Sequence, residues 1–192
     1  MIGALVERLG PLSVAERRRG RPDDAYGSLL RAIVGQQLST KAARSIYERL
    51  VALFGGRPPS PGELLAADPE EVRAVGLSGP KVAYLRDLAA HVEDGRLPID
   101  RLHEQDDAAV AAELTAVKGL GQWTVDMFLI FHLGRPDVLA VGDLGVRRAV
   151  ERAYGLEALP DAAELERIAA PWRPQRSLAC LYLWRSLDNE PG

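Results

Sequence analysis

The chain has 192 residues, 47% hydrophobic and 27% charged, an ordinary globular balance sufficient for one sizeable domain or two small lobes. No apolar run approaches the roughly 18 residues of a membrane-spanning helix, and Met1 to Arg19 lacks the basic-then-apolar order of a secretory signal, so a cytoplasmic location is expected. The net charge of −3 and pI near 5.7 argue against a protein that coats nucleic acid, for which a pI above about 9 is usual. Any such contact must rest on a local patch and on backbone N–H groups.

Proline and glycine fall at intervals that suit helices, and no stretch alternates at period two for long. The first expected helix runs over Tyr26–Val34. The next, Lys41–Phe54, carries Ala43, Ile46, Leu50, Leu53 and Phe54 at helical spacing, with Ser39 or Thr40 to cap it and Gly55 to end it. Two short helices follow over Pro61–Ala67 and Pro69–Val75. Pro80, favoured in a first turn, opens a helix with the stripe Val82, Leu85, Leu88, Ala89 and Val92, and Gly95 follows. Further helices are expected over Asp107–Ala116, Gln122–Leu133, Leu144–Tyr154, Ala162–Ala170 and Pro174–Leu187. Connections are short. The pattern is all-α, with bundles and less regular helical folds equally compatible.

Cys180 is the only cysteine, which excludes an intrachain disulfide and any four-cysteine zinc or iron–sulfur site within this chain. His91, His103 and His132 lack metal-ligand spacing and read as surface or packing residues.

Between the helices ending near Ala116 and beginning near Gln122 lies Val117-Lys118-Gly119-Leu120-Gly121. Glycine permits positive φ and close approach of another surface, and N–H groups at a helix start bind anions without basic side chains. Leu120 can turn inward to pin such a hairpin. On spacing alone, a plain αα-turn with a glycine cap fits as well.

Leu114 to Val125 resembles the helix–hairpin–helix motif of the HhH-GPD DNA glycosylase superfamily. The loop Gly134-Arg-Pro-Asp-Val-Leu-Ala-Val-Gly-Asp143 resembles that family's Gly/Pro loop and its aspartate. Ala32-Ile-Val-Gly-Gln-Gln-Leu-Ser39 is similar to the turn with which it probes a duplex. Trp172 to Trp184 resembles the last helix of the 3-methyladenine DNA glycosylase II branch. These motifs run in register from about Ala25 to Trp184.

The resemblance implies a two-lobed helical fold. Residues 25–133 would form a central barrel with probe turn and hairpin. Residues 1–24 and 134–192 would form the second lobe, without the N-terminal β-rich domain of some relatives. Asp143 and Trp184 would face the cleft. It implies a monomer acting on double-stranded DNA with damaged bases, near the nucleoid, with no membrane. The activity implied is hydrolysis of the N-glycosidic bond of flipped alkylated purines such as 3-methyladenine and 7-methylguanine, the first step of base excision repair. Other lesions, or a non-catalytic DNA-binding module, are the alternatives.

Asp143 is the expected catalytic residue, since bond cleavage builds positive charge on the deoxyribose ring. It also sits where it would cap the helix from Leu144. Asp137, in a turn that favours local hydrogen bonds, and Asp126, on the polar face of its helix, are the lesser candidates. Position 123, where backbone-cutting relatives carry a Schiff-base lysine, holds Trp123, and the only lysines are Lys41, Lys81 and Lys118. A glycosylase without lyase activity is implied.

Trp123 and Trp184 match aromatic base-pocket positions, with core packing as the alternative for each. Met127 stands where the family has a further aromatic and makes the pocket more adaptable. Gln37 matches the residue that fills the gap left by a flipped nucleotide, flanked by Gln36 and Leu38. Phosphate binding is expected at Val117, Lys118, Gly119, Leu120, Gly121, Gln122 and Trp123. Carbonyls of Thr115, Val117 and Leu120 are expected to hold a sodium or potassium ion, with no other cofactor. Arg17, Arg18, Arg19 and Arg21, with Arg147 and Arg148, would supplement the DNA contacts.

Overall fold

A computed structural model describes residues 1–18 and 24–188. In chain order these form α1 (Ile2–Leu9), α2 (Val14–Arg18), α3 (Ala25–Gly35), α4 (Thr40–Leu53), α5 (Pro61–Ala66), α6 (Pro69–Ala74) and α7 (Gly79–Glu93). A 3₁₀ turn (Ile99–Glu104) leads to α8 (Asp107–Thr115), α9 (Gln122–Phe131), α10 (Leu144–Tyr154) and α11 (Ala162–Ala169). A second 3₁₀ turn (Ala170–Trp172) precedes α12 (Arg176–Asp188). Among the described residues there is no strand. No helix among them is long and apolar enough to cross a membrane.

Most helix starts are specified locally. Asp24, Ser39, Asp106, Asp143 and Asp161 each accept an N–H from the first turn that follows. Ser60 and Glu63 close a reciprocal capping box. Each such cap contributes about 1 kcal/mol. By contrast, α1 has no side-chain cap and was not legible in the sequence. Its eight residues are too few to hold a helix alone; packing on α12 supplies what propensity does not.

The chain divides into two compact units, one within residues 21–125 and the other within 1–20 and 126–192, so that the divide lies inside α9. In the first unit, α3 packs against α4, α7 and the Ile99–Glu104 turn, while α5 and α6 pack on α7. Leu29, Leu30, Ile33 and Val34 of α3 lie in its core with Leu50, Leu64, Val72, Leu85, Leu88 and Leu114. Each such side chain contributes roughly 1.5–3 kcal/mol by burial. The apolar stripe of α4 is only partly used. Leu50 is buried and Leu53 is exposed, because α4 has α3 as its main neighbour.

The second unit is organised on α12, against which α1, α2 and α10 pack. Ala179, Cys180, Leu181, Tyr182 and Leu183 are buried in unbroken succession, as in a helix covered on all sides. The Tyr182 hydroxyl donates to the Gly10 carbonyl at 3.0 Å and accepts the Leu12 N–H at 3.1 Å, fastening the N-terminal segment. Burial pushes the Cys180 thiol up to about 12, so it stays protonated and inert.

The loop from Gly134 to Asp143 is gripped by the start of α12. Ser177 Oγ donates to the Arg135 carbonyl at 2.6 Å and accepts the Val138 N–H at 3.0 Å. Asp137, expected to bond locally within its turn, instead accepts Arg176 Nε at 2.7 Å and Arg173 Nη1 at 2.8 Å. Residues 39 and 36 positions away supply these donors, which no turn propensity encodes. The Arg176 hydrogen bond, aided by Arg173, holds the Asp137 carboxyl below the usual carboxylate range. A depressed folded pKa gives stability that is present at neutral pH and lost as pH falls through the lowered value. Melting temperatures followed down from about pH 5 should therefore fall less steeply for Asp137→Asn, which should start lower at neutral pH. Parallel profiles would show that the pair adds nothing.

Candidate nucleic-acid interface and carboxylate site

In the unit spanning residues 21–125, the hairpin between α8 and α9 is built against α7. Gly119 has φ +83°, and a Cβ there would fall 2.3 Å from Cδ2 of Tyr84. Only glycine satisfies both the left-handed backbone and the aromatic ring beneath it. The Lys118 N–H donates to Asp87 Oδ2 at 2.8 Å, and the Leu120 N–H closes the turn on the Val117 carbonyl at 3.1 Å. Leu120 is buried, as expected, and acts as the pin. A Cβ at Gly121 would meet nothing within 4 Å. One glycine is therefore required by packing from below, while the other leaves its outer side open.

Helix α9 starts directly after Gly121, and a helix points its opening amides out of its N-terminal end. The carbonyl of Gly121 already accepts the N–H groups of Thr124 and Val125 at 2.9 and 3.2 Å. Trp123, in this first turn, is 46% exposed. Lys118 carries an exposed ammonium 3.8 Å from Asp87.

The turn over Gln36-Gln37-Leu38, expected from the resemblance to probe a duplex, follows α3 in the same unit. Gln37 has φ +57°, a conformation costing a non-glycine residue roughly 1–3 kcal/mol unless its surroundings enforce it. Gln37 and Leu38 are exposed. Gln36 is not: its Nε2 donates to the Gly119 carbonyl at 2.7 Å, joining probe turn to hairpin across 83 residues of sequence. The structure thus brings these two motifs together and recasts Gln36 as a strut beside the turn's tip.

In the other unit, Asp143 caps α10 by accepting the Val146 N–H on Oδ1 at 2.8 Å. The same oxygen accepts the indole N–H of Trp184 at 2.8 Å. Gly145 makes this approach feasible: a Cβ there would lie 3.0 Å from Asp143 Oδ1 and 3.2 Å from Trp184 Cδ1. The Trp184 ring stacks on Phe131, centroids 5.8 Å apart. Trp184 therefore has a third role beside the two weighed from sequence, as the donor that orients the carboxylate. Its proximity to Asp143, from 41 residues away, is a product of α10 packing on α12.

Met127 is half-buried on α9. Asp126, expected on a polar face, is 5% exposed; α9 buries nearly its whole circumference, leaving no polar face there. Arg147 donates to the Pro160 carbonyl at 2.8 Å and serves packing, whereas Arg148 is exposed. Arg19 and Arg21 lie outside the described residues, as do the side chains of Arg17 and Arg18. Among the described residues, no group of three His, Cys, Asp or Glu side chains is placed to hold a metal ion. Tyr84, Asp87 and Gly145 shape these sites without any signal in the sequence, since each acts chiefly through a partner distant in the chain.

Residues 30–174 match the model of the HhH-GPD superfamily of base excision DNA repair proteins. A Bacillus subtilis relative is 30% identical over 85% of this chain, which spans 59% of that protein's length. The structure of a 3-methyladenine DNA glycosylase from Schizosaccharomyces pombe in complex with abasic DNA superposes with a TM-score of 0.87. It is 31% identical, covering 97% of this chain and 90% of its own. A DNA-3-methyladenine glycosidase structure from Bacillus halodurans gives a TM-score of 0.85 at 38% identity, covering 98% and 84%. With its helices, its glycine hairpin and its capped carboxylate arranged in this way, the chain belongs to the HhH-GPD superfamily of base excision DNA repair proteins.

Proposed function

We propose that this chain is a monofunctional DNA glycosylase that releases alkylated purines flipped from duplex DNA. The observation that carries the reading is the double donation to one oxygen of Asp143, from the Val146 amide and the Trp184 indole. A carboxylate held by two donors is preorganised, which is what electrostatic stabilisation of a developing charge requires. As the bond between C1′ and the base nitrogen breaks, both electrons leave with the base. The sugar becomes oxocarbenium-like, and the carboxylate stabilises it until water adds to C1′ and releases a proton.

An alkylated purine cation departs as a neutral molecule and needs no acid to assist it. Aromatic faces suit such a base, because stacking returns about 1–3 kcal/mol and a desolvated cation adds about 2 more. Trp123, exposed on α9, is the aromatic surface that supports this preference. That relatives in Schizosaccharomyces pombe and Bacillus halodurans carry 3-methyladenine in their names supports the same substrate class. Tryptophan rather than lysine at position 123 supports hydrolysis without a Schiff base.

Hairpin amides from Gly121 onward would take a DNA phosphate. The Thr115, Val117 and Leu120 carbonyls, neutral hard oxygens along the hairpin, would hold a sodium or potassium ion beside that phosphate. The chain would act as a monomer on damaged double-stranded DNA.

Duplexes each carrying one defined lesion decide the substrate class. Release of 3-methyladenine and 7-methylguanine, with the backbone intact until alkali treatment, is the expected result. Release confined to deaminated or oxidised bases would replace the alkylpurine reading, and immediate strand cleavage would overturn hydrolysis alone.

Trp184→Phe tests the orienting role separately. Phenylalanine keeps a ring against Phe131 and removes the N–H donor. The single-turnover rate should fall about tenfold, the worth of one charge-assisted hydrogen bond, with affinity for undamaged duplex unchanged. An unaltered rate would remove the indole from the chemistry.

A further inference from the structure

Lys81 lies near the start of α7, outside every motif the function uses. Its ammonium donates to the Val34 carbonyl at 2.8 Å and to the Gln36 carbonyl at 2.7 Å. Both acceptors stand at the C-terminal end of α3, where helix carbonyls lack partners and the dipole favours a cation. The second acceptor is the residue immediately before Gln37, whose φ is +57°. On its other side the turn is tied by the Gln36 side chain to the Gly119 carbonyl at 2.7 Å. The segment entering the left-handed residue is thus held by three hydrogen bonds, and the exposed stretch begins at Gln37 itself. Burial draws the Lys81 ammonium below the usual lysine range, in keeping with a charge withdrawn from water.

We infer that Lys81 is the positioning residue of the probe turn: by clamping two carbonyls it holds Gln37 in the conformation from which its side chain enters the gap left by a flipped nucleotide. The inference rests on reading Gln36-Gln37-Leu38 as that turn. Lys81 does not touch DNA in this role, nor does it act as a nucleophile, since its nitrogen is committed to the two carbonyls. Methionine at this position keeps the stem and loses the clamp. Arginine keeps the charge and donors.

The probe is a duplex with a tetrahydrofuran abasic-site analogue opposite 2-aminopurine, compared with the same duplex undamaged. The fluorescence of 2-aminopurine reports whether a side chain occupies the gap. Lys81→Met should lower the preference for the abasic-analogue duplex about tenfold, the scale of a lost charge-assisted hydrogen bond, and weaken the fluorescence change. Affinity for undamaged duplex should stay within about twofold, because the phosphate contacts are untouched. Lys81→Arg should restore most of the preference. Combined with Gln37→Ala, Lys81→Met should cost nothing further, since residues acting as one unit are non-additive.

Equal losses on both duplexes, or additive losses in the double variant, would overturn the positioning role and leave Lys81 a stabilising contact. Full preference retained by Gln37→Ala alone would instead overturn the probe-turn reading, so the two failures are distinct. If Lys81→Met does not fold, Lys81→Gln, which keeps a donor without the charge, is read in the same cycle.

Discussion

Asp143→Asn should lower base release by about 10²–10³, the usual loss when one aimed electrostatic group is removed, while duplex binding persists. The structure makes this variant unusually clean. Asn is as good an N-cap as Asp, so the Val146 N–H keeps its acceptor and α10 its start. The amide oxygen can also still accept the Trp184 indole N–H. What disappears is the negative charge alone. The measurement is single-turnover release from an alkylated duplex, with binding to an uncleaved duplex and thermal melting alongside. Activity within a few-fold of the parent would show that Asp143 is an N-cap and no more. A combined loss of melting temperature, binding and rate would assign it to folding.

The second large effect concerns the hairpin, where two glycines separate backbone geometry from charge. At Gly121 a new side chain meets open space, so Gly121→Asp should fold normally and place an anion where a phosphate would sit. Affinity should drop on the order of tenfold or more for every duplex, damaged or not, since phosphate contacts are sequence-independent. Raising salt should narrow the difference, because salt weakens the parent more. Gly119→Ala is the opposite case. Its Cβ would lie 2.3 Å from the Tyr84 ring and its φ is +83°. A left-handed alanine costs about 1–2 kcal/mol, and overpacking adds about 1–3 kcal/mol. This variant should lose stability, measurable by denaturant unfolding, along with DNA affinity. Unchanged duplex affinity in Gly121→Asp would reject the hairpin as a phosphate clamp, whatever Gly119→Ala does.

What could be read directly from the chain was local. Caps at Ser39 and Asp143, and the Pro80 start, act within one turn of the residues they order, so composition at short spacing reveals them. The glycine pair around Leu120 and the aspartate before Leu144 were legible for the same reason. A short helix such as α1 was not, because packing on α12, at the far end of the chain, sustains it.

The same distinction governs the candidate sites. Residue types and spacing determined an all-α chain, the hairpin, and which carboxylate caps α10. Folding alone decided that Trp184 would donate to that carboxylate, that Asp137 would pair with Arg176, and that Asp126 would be buried. It also decided that Lys81 of α7 would hold the end of α3 and that Gln36 would join the turn after it to the hairpin. The physical reason is range: a cap or a turn is settled by atoms within a few residues, whereas a salt bridge, an indole hydrogen bond or a lysine clamp exists only after helices have packed.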